Sequence, residues 1–249
     1  MCTVSYLPLH GKGFIITSTR DEKSLRKPAL PPEKYDIHDG PVYFPRDTDA
    51  GGTWIASSPG GHTLCLLNGG FIFHESNPPY RRSRGLVLLD FYLYNNVAGF
   101  RDQFDFKGIE PFTLLIRNAQ GTATGLADPQ FDEIRWDGKQ VHHTPLNPEL
   151  PAIWSSVTLY SDEVISQRKL WFDQWLAGHP EFTVGSAIDF HKTAGTGNIQ
   201  NDILMNRDNV VKTVSITSIL RDPLMHSYYY EDIINQQQYS TKLPVSGLI

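Results

Sequence analysis

Cys2, Arg20 and Asp21 are the residues of this 249-residue chain whose types and spacing could do chemistry together. A thiol beside a fixed cation and a carboxylate sits where its thiolate is favoured and held. Cysteine is also small enough for methionine aminopeptidase to remove Met1. Cys2 would then carry a free α-amino group, with a reference pKa near about 8, as general base for its own thiol. What must bring the three together is a hairpin. Thr3 to Leu7 and Phe14 to Ser18 are strand-like and flank Leu9-His10-Gly11-Lys12-Gly13, whose glycines permit a tight turn. A turn centred on Gly11 and Lys12 pairs residues whose numbers sum to about 23, so Cys2 is expected opposite Asp21 with Arg20 adjacent, within a slip of a residue or two. The bland alternative is an incidental cysteine beside a solvated Arg20-Asp21-Glu22 turn.

A second hairpin, Thr53 to Ser57 and His62 to Leu67 around Ser58-Pro59-Gly60-Gly61, is expected to place Gly51 or Gly52 near Asn68. Asn68 ends a buried strand and precedes Gly69 and Gly70, where the backbone is small enough to admit a ligand. Its amide is a candidate oxyanion donor, with a simple turn-starting Asn as the alternative. Further strands are expected at Phe112 to Ile116, Thr122 to Leu126, Glu133 to Trp136, Gln140 to Thr144 and Val210 to Ile219. Helices are expected over Ser83 to Asn95, with an apolar face at Leu86, Leu89, Tyr92 and Leu93, over Ser161 to Leu176, with Val164, Leu170, Trp171 and Trp175, and more weakly over Ser186 to Thr193. The Pro-rich Lys27 to Lys34 stretch reads as an extended surface connection, and Tyr228 to Tyr230 as an aromatic tail packed on the body. The pattern is α+β, with helices covering antiparallel sheets in one domain spanning residues 1–249.

Composition narrows the function. Forty per cent of residues are hydrophobic and 20% charged, which suits a protein able to close a core. Acidic residues number 27 against 22 basic, a formal charge of −5 with no Lys/Arg block, so a nucleic-acid partner is not expected. The apolar stretches fall far short of the roughly 20 residues that span a bilayer. The first residues have neither a basic nor an apolar signal region, and the expected location is cytoplasmic. Two cysteines are too few for a disulfide framework or a Cys-based zinc site. Gly195-Thr196-Gly197 lacks the third glycine of a dinucleotide fingerprint, and His142-His143 on a strand points two ways rather than at one metal. No cofactor or metal is expected.

Several ordered motifs have a family likeness. Met1-Cys2-Thr3, Thr19-Arg20-Asp21-Glu22 followed by Arg26 and Pro28, Arg46-Asp47, Ala50-Gly51-Gly52-Thr53-Trp54, Leu67-Asn68, and Ser83-Arg84-Gly85 leading into a helix resemble the NRDE family, also called the transport and Golgi organisation protein 2 family. The likeness is strong over residues 1 to about 95 and looser through the strands at Phe112 and Asn209 to Ile219. It implies a four-layer αββα sandwich of antiparallel sheets similar to the N-terminal nucleophile (Ntn) hydrolases of the cysteine type, which include penicillin V acylase and bile salt hydrolase. Carried over by residue, it implies Cys2 as nucleophile and base, Arg20 and Asp21 as orienting groups and Asn68 as an oxyanion donor, with Lys212, Trp54 and Gly69 as substrate contacts.

The chain departs from that family in places. The leading Asn of the motif is Thr19 here, an Asn before the second helix is replaced by Ser155 or Ser156, and an Arg-Thr pair is Lys212-Thr213. Lysine cannot reproduce a bidentate guanidinium. The expected function is a cysteine amidohydrolase acting on a non-peptide C–N amide bond of a small molecule. The alternative is a non-catalytic carrier or trafficking protein for haem or lipid on the same fold, where His10 and His74 are the exposed candidates for haem.

Overall fold

Alternating β-branched and apolar side chains set the first two strands, β1 (Cys2–Pro8) and β2 (Phe14–Lys23), which pair antiparallel. The turn between them is a single 3-10 loop at His10–Lys12 in which Gly11 takes a left-handed φ of 74° and Leu9 N–H donates to Gly13 O at 2.8 Å. The structure, a computed structural model, describes residues 2–38, 40–118 and 130–244. The strand expected over Thr122 to Leu126, and Met1, lie outside the described residues. The chain forms two compact units, one from Met1–Pro28 with Glu149–Leu243 and one from Ala29–Pro148.

The second unit holds β3 (Leu30–Ile37), β4 (Gly40–Arg46), β5 (Ile55–Ser57), β6 (His62–Asn68), helices α1 (Arg84–Tyr94) and α2 (Val97–Gln103), then β7 (Phe112–Asn118), β8 (Gln130–Trp136) and β9 (Val141–Leu146). Its strands follow in sequence order as one antiparallel sheet. The Lys27 to Lys34 stretch is therefore no mere connection. It runs into edge strand β3, where Pro31 and Pro32 fall at a register shift between Leu30 and Glu33. Helix α1 buries Val87, Leu88, Phe91 and Tyr92 against the sheet, while Leu93, expected inside, is 58% exposed. An aromatic chain through Phe91, Phe100, Phe106, Phe112 and Trp136 continues that core.

The chain then returns to the first unit through β10 (Ala152–Ser155), α3 (Asp162–Ala177), α4 (Val184–Thr193), β11 (Asn206–Arg207), β12 (Val211–Arg221), β13 (His226–Asp232) and β14 (Gln237–Lys242). The sheet order is β10-β1-β2-β12-β13-β14, with β11 on β12. The Tyr228 to Tyr230 tail is strand β13, with His226, Tyr228, Tyr230 and Asp232 buried in strict alternation. Helix α4 lies on β2 and β12 and α3 on β10, burying Leu7, Ile15, Phe172, Phe190 and Ile203. Leu170, expected on the inner face of α3, is exposed, and Arg168 is inside instead. Among the described residues the fold is α+β, two antiparallel sheets with four helices.

Candidate active site

Strand alternation divides the hairpin residues between two faces. Thr3, Ser5 and Leu7 pair with Thr19, Thr17 and Ile15, and Asp21 continues the same row on β2. Arg20 and Glu22 belong to the opposite face. The observed register sets Cys2 against Arg20, one residue from the expected partner Asp21, because the turn is centred on Gly11 alone. Arg20 is 3% exposed, with Nη2 3.9 Å from Glu22 Oε1, and Glu22 in turn lies 4.0 Å from Arg26 Nε. Lys212 on β12 pairs with Glu22, so Arg20, Glu22 and Lys212 occupy one face of the sheet. Tyr230 shares this face through Thr217 and Ser18, and burial pushes its phenol up to about 12.

Asp21 enters a different environment. A bulge at Val214 lets Thr213 face it. Thr213 Oγ1 donates to Asp21 Oδ1 at 2.6 Å and accepts from Met205 N–H at 3.0 Å, while Tyr160 OH donates to Asp21 Oδ2 at 2.6 Å. Burial drives the Asp21 pKa upward, opposed by the nearby Arg168 cation and the two hydroxyl donors. The same burial, with Asp21 beside it, holds Tyr160 well above the ordinary phenol value. Arg168 stacks 3.7 Å over the Tyr160 ring and donates to Thr3 Oγ1, to Asn201 O and to Asp202 O. Below it, fully buried His191 shares a hydrogen bond of 2.8 Å between Nε2 and Ser5 Oγ, and desolvation, aided by Arg168, lowers its pKa to about 3. Ser155 pairs with Thr3, their hydroxyls 3.3 Å apart, and Ser156 is buried with Oγ 3.0 Å from Thr158 Oγ1.

The remaining expected site residues lie in the second unit. Asn68 closes β6 opposite Phe112, and Gly69 follows with φ 91°. Both polar groups of the Gly69 backbone are engaged, N–H with Pro111 O and C=O with Thr113 Oγ1, each at 2.9 Å. Trp54 is buried, and its carbonyl accepts from Leu66 N–H. Strand β5 begins at Ile55, and Gly52 lies against the start of helix α1. A Cβ on Gly52 would lie 2.4 Å from Gly85 C, and one on Gly85 would lie 2.8 Å from Thr53 O. Asp47 Oδ1 accepts from Asp49 and Ala50 N–H, and Asp47 N–H donates to Gly52 O. The motifs at residues 46–54 and 83–85 are thus two halves of one backbone-to-backbone junction.

Sequence reasoning missed Tyr160, Arg168 and His191. The available signal was Arg168 in register with Ile165 and Phe172 on the inner stripe of α3, a cation where an apolar residue belongs. His142 and His143 diverge as strand geometry demands, to Asp137 at 2.8 Å and Asp132 at 2.7 Å, and His74 lies 3.3 Å from Glu110. Among the described residues no group of three His, Cys, Asp or Glu side chains converges as a metal site, and no helix is long and apolar enough to cross a membrane.

This architecture is that of proteins with the Ntn-hydrolase fold. A mutant conjugated bile acid hydrolase from Clostridium perfringens superposes with a TM-score of 0.59 at 9% identity, covering 98% of this chain and 92% of that one. Penicillin V acylase from Agrobacterium tumefaciens gives 0.54 at 13% identity over 97% and 86%, and a Caenorhabditis elegans ortholog of N-acylethanolamine-hydrolyzing acid amidase gives 0.52 at 13% over 98% and 100%. Sequence comparison with curated proteins finds no match. The profile of the family described as Transport and Golgi organisation 2 matches residues 1–148, and the chain belongs to that family.

Proposed function

We propose that the protein is a cytoplasmic N-terminal-nucleophile cysteine amidohydrolase acting on a non-peptide C–N amide bond of a small molecule. After removal of Met1, the α-amine of Cys2 takes the thiol proton and the thiolate attacks the amide carbonyl carbon. The tetrahedral intermediate collapses as the C–N bond breaks, the ammonium returns its proton to the leaving amine, and a thioester remains. Water, deprotonated by the same α-amine, attacks the thioester, and the carboxylic acid leaves as the thiol regains its proton. Arg20 holds the thiolate, and Lys212, on the same sheet face as Arg20, contacts the substrate.

The observation that carries this reading is the register pairing of Cys2 with Arg20, a cation fixed by burial. The three amide-cleaving neighbours named above support it through the fold alone. The test is intact mass of untagged protein, followed by alkylation at neutral pH and a screen of small amides. The expected result is loss of one methionine, faster labelling at Cys2 than at buried Cys65, and turnover abolished in Cys2→Ser. Retained methionine with equal, slow labelling of both thiols overturns the enzyme and favours ligand carriage, which haem or lipid titration would then reveal as binding without turnover.

A further inference from the structure

Arg168 is fully buried on the inner face of α3, and the chemistry above makes no use of it. A buried guanidinium carries a large desolvation penalty, and a well-packed apolar side chain in its place is commonly neutral or stabilising. Its contacts show what it delivers. Cys2 and Arg20 form one register pair, and the residues immediately after each, Thr3 and Asp21, project to the opposite face. Thr3 Oγ1 accepts directly from Arg168, and Asp21 Oδ2 accepts from Tyr160, whose ring lies 3.7 Å beneath the Arg168 guanidinium. Arg168 is in turn clamped by the carbonyls of Asn201 and Asp202, and Arg207 lies 5.5 Å from the same ring while donating to Leu159 O at 2.9 Å. One connected group therefore holds both strands, each one residue from the Cys2–Arg20 pair, from the opposite face of the sheet.

We infer that Arg168 and Tyr160 are positioning residues that hold the Cys2 strand in register with Arg20 by tethering Thr3 and Asp21. The inference rests on Cys2 being the nucleophile. Without the tethers β1 can shift at its end, and the thiolate loses its fixed cation. A displacement of about 1 Å is enough to cost on the order of a hundredfold in a positioned reaction.

The test compares wild type with Tyr160→Phe, which keeps the ring under Arg168 and deletes the donor to Asp21, and with Thr3→Val, which deletes the acceptor for Arg168 together with the 3.3 Å hydroxyl contact to Ser155, a contact that Ser155→Ala removes by itself as the control. The readout is the pH profile of iodoacetamide labelling at Cys2, with thermal melting as the control for folding. Both variants are expected to melt cooperatively and to label Cys2 about tenfold more slowly at neutral pH, with the profile displaced towards that of an ordinary thiol. Arg168→Lys is expected to label Cys2 at less than half the wild-type rate, because an ammonium cannot both stack on the ring and reach three acceptors. Wild-type profiles in Tyr160→Phe and Thr3→Val overturn the inference. Wild-type protein whose own Cys2 behaves as an ordinary thiol overturns the nucleophile reading first, so the two failures are told apart.

Discussion

Acidifying the protein from pH 7 to pH 5 should cost it about 2 kcal/mol through His191 alone. The ring is fully buried, its Nε2 is bonded to Ser5 Oγ, and its pKa falls from the ordinary 6.5 to about 3. The native state therefore holds the ring neutral through a range in which the unfolded chain takes up a proton. Because the folded pKa is the lower one, the stability is complete above pH 6.5 and drains as pH falls towards 3. Each pH unit below 6.5 removes about 1.4 kcal/mol, so pH 5 removes about 2 kcal/mol. Urea unfolding at the two pH values measures the loss, and His191→Gln isolates it, since a Gln amide reaches Ser5 but does not titrate. The variant should be less stable than wild type at pH 7, by about 1 kcal/mol or more from imperfect packing, yet lose about 2 kcal/mol less on acidification. Equal losses in the two proteins would refute a neutral buried imidazole at this position.

Gly85→Ala should destabilise the second unit by about 2 to 4 kcal/mol, since a Cβ there meets the Thr53 backbone at 2.8 and 2.9 Å. The helix preference of Ala over Gly, about 1 kcal/mol, has the opposite sign and does not offset it; thermal melting decides. Asp47→Ala should cost about 1 to 2 kcal/mol by stranding the Asp49 and Ala50 N–H groups, measured the same way. Phe112→Ala, which opens a void beside Phe106, should cost about 3 to 5 kcal/mol in chemical denaturation.

The hairpins and the long helices were legible because their signals are local. Glycines at the turns, alternation in Thr3 to Leu7 and apolar spacing after Ser83 and Ser161 all act within a dozen residues. The register slipped by one because a turn centred on Gly11 alone and one centred on Gly11 and Lys12 differ by a single residue, a distinction carried by the φ of Gly11. Strand β3 was hidden by Pro31 and Pro32, which read as a linker until the neighbouring strand β4 shows them at an edge irregularity. Asp21 was legible as a candidate but not its surroundings. Tyr160 and Thr213, its two hydroxyl donors, lie 139 and 192 residues away, beyond any pattern read along the chain. The motif around Gly51 and Gly52 stands beside the chemistry in the sequence reading, yet Gly52 serves the close approach to Gly85, which becomes visible only when helix and loop are placed together.

The order of strands in the first sheet has a consequence for synthesis. β1 and β2 leave the ribosome well before their sheet neighbours β10 and β12, which are encoded after residue 150. At roughly 5 to 20 residues per second, the 139 residues between Asp21 and Tyr160 take about 7 to 28 s to make. Throughout that interval the β1–β2 hairpin has two open edges and no helix over it, whereas every strand partner within the second unit is already in hand by residue 146. The β1–β2 hairpin thus waits for seconds before α3 and α4 exist to cover its inner face. Any slowing of translation between residues 29 and 150 lengthens that exposure, so codon choice in the second unit governs how long the Cys2 strand stays open.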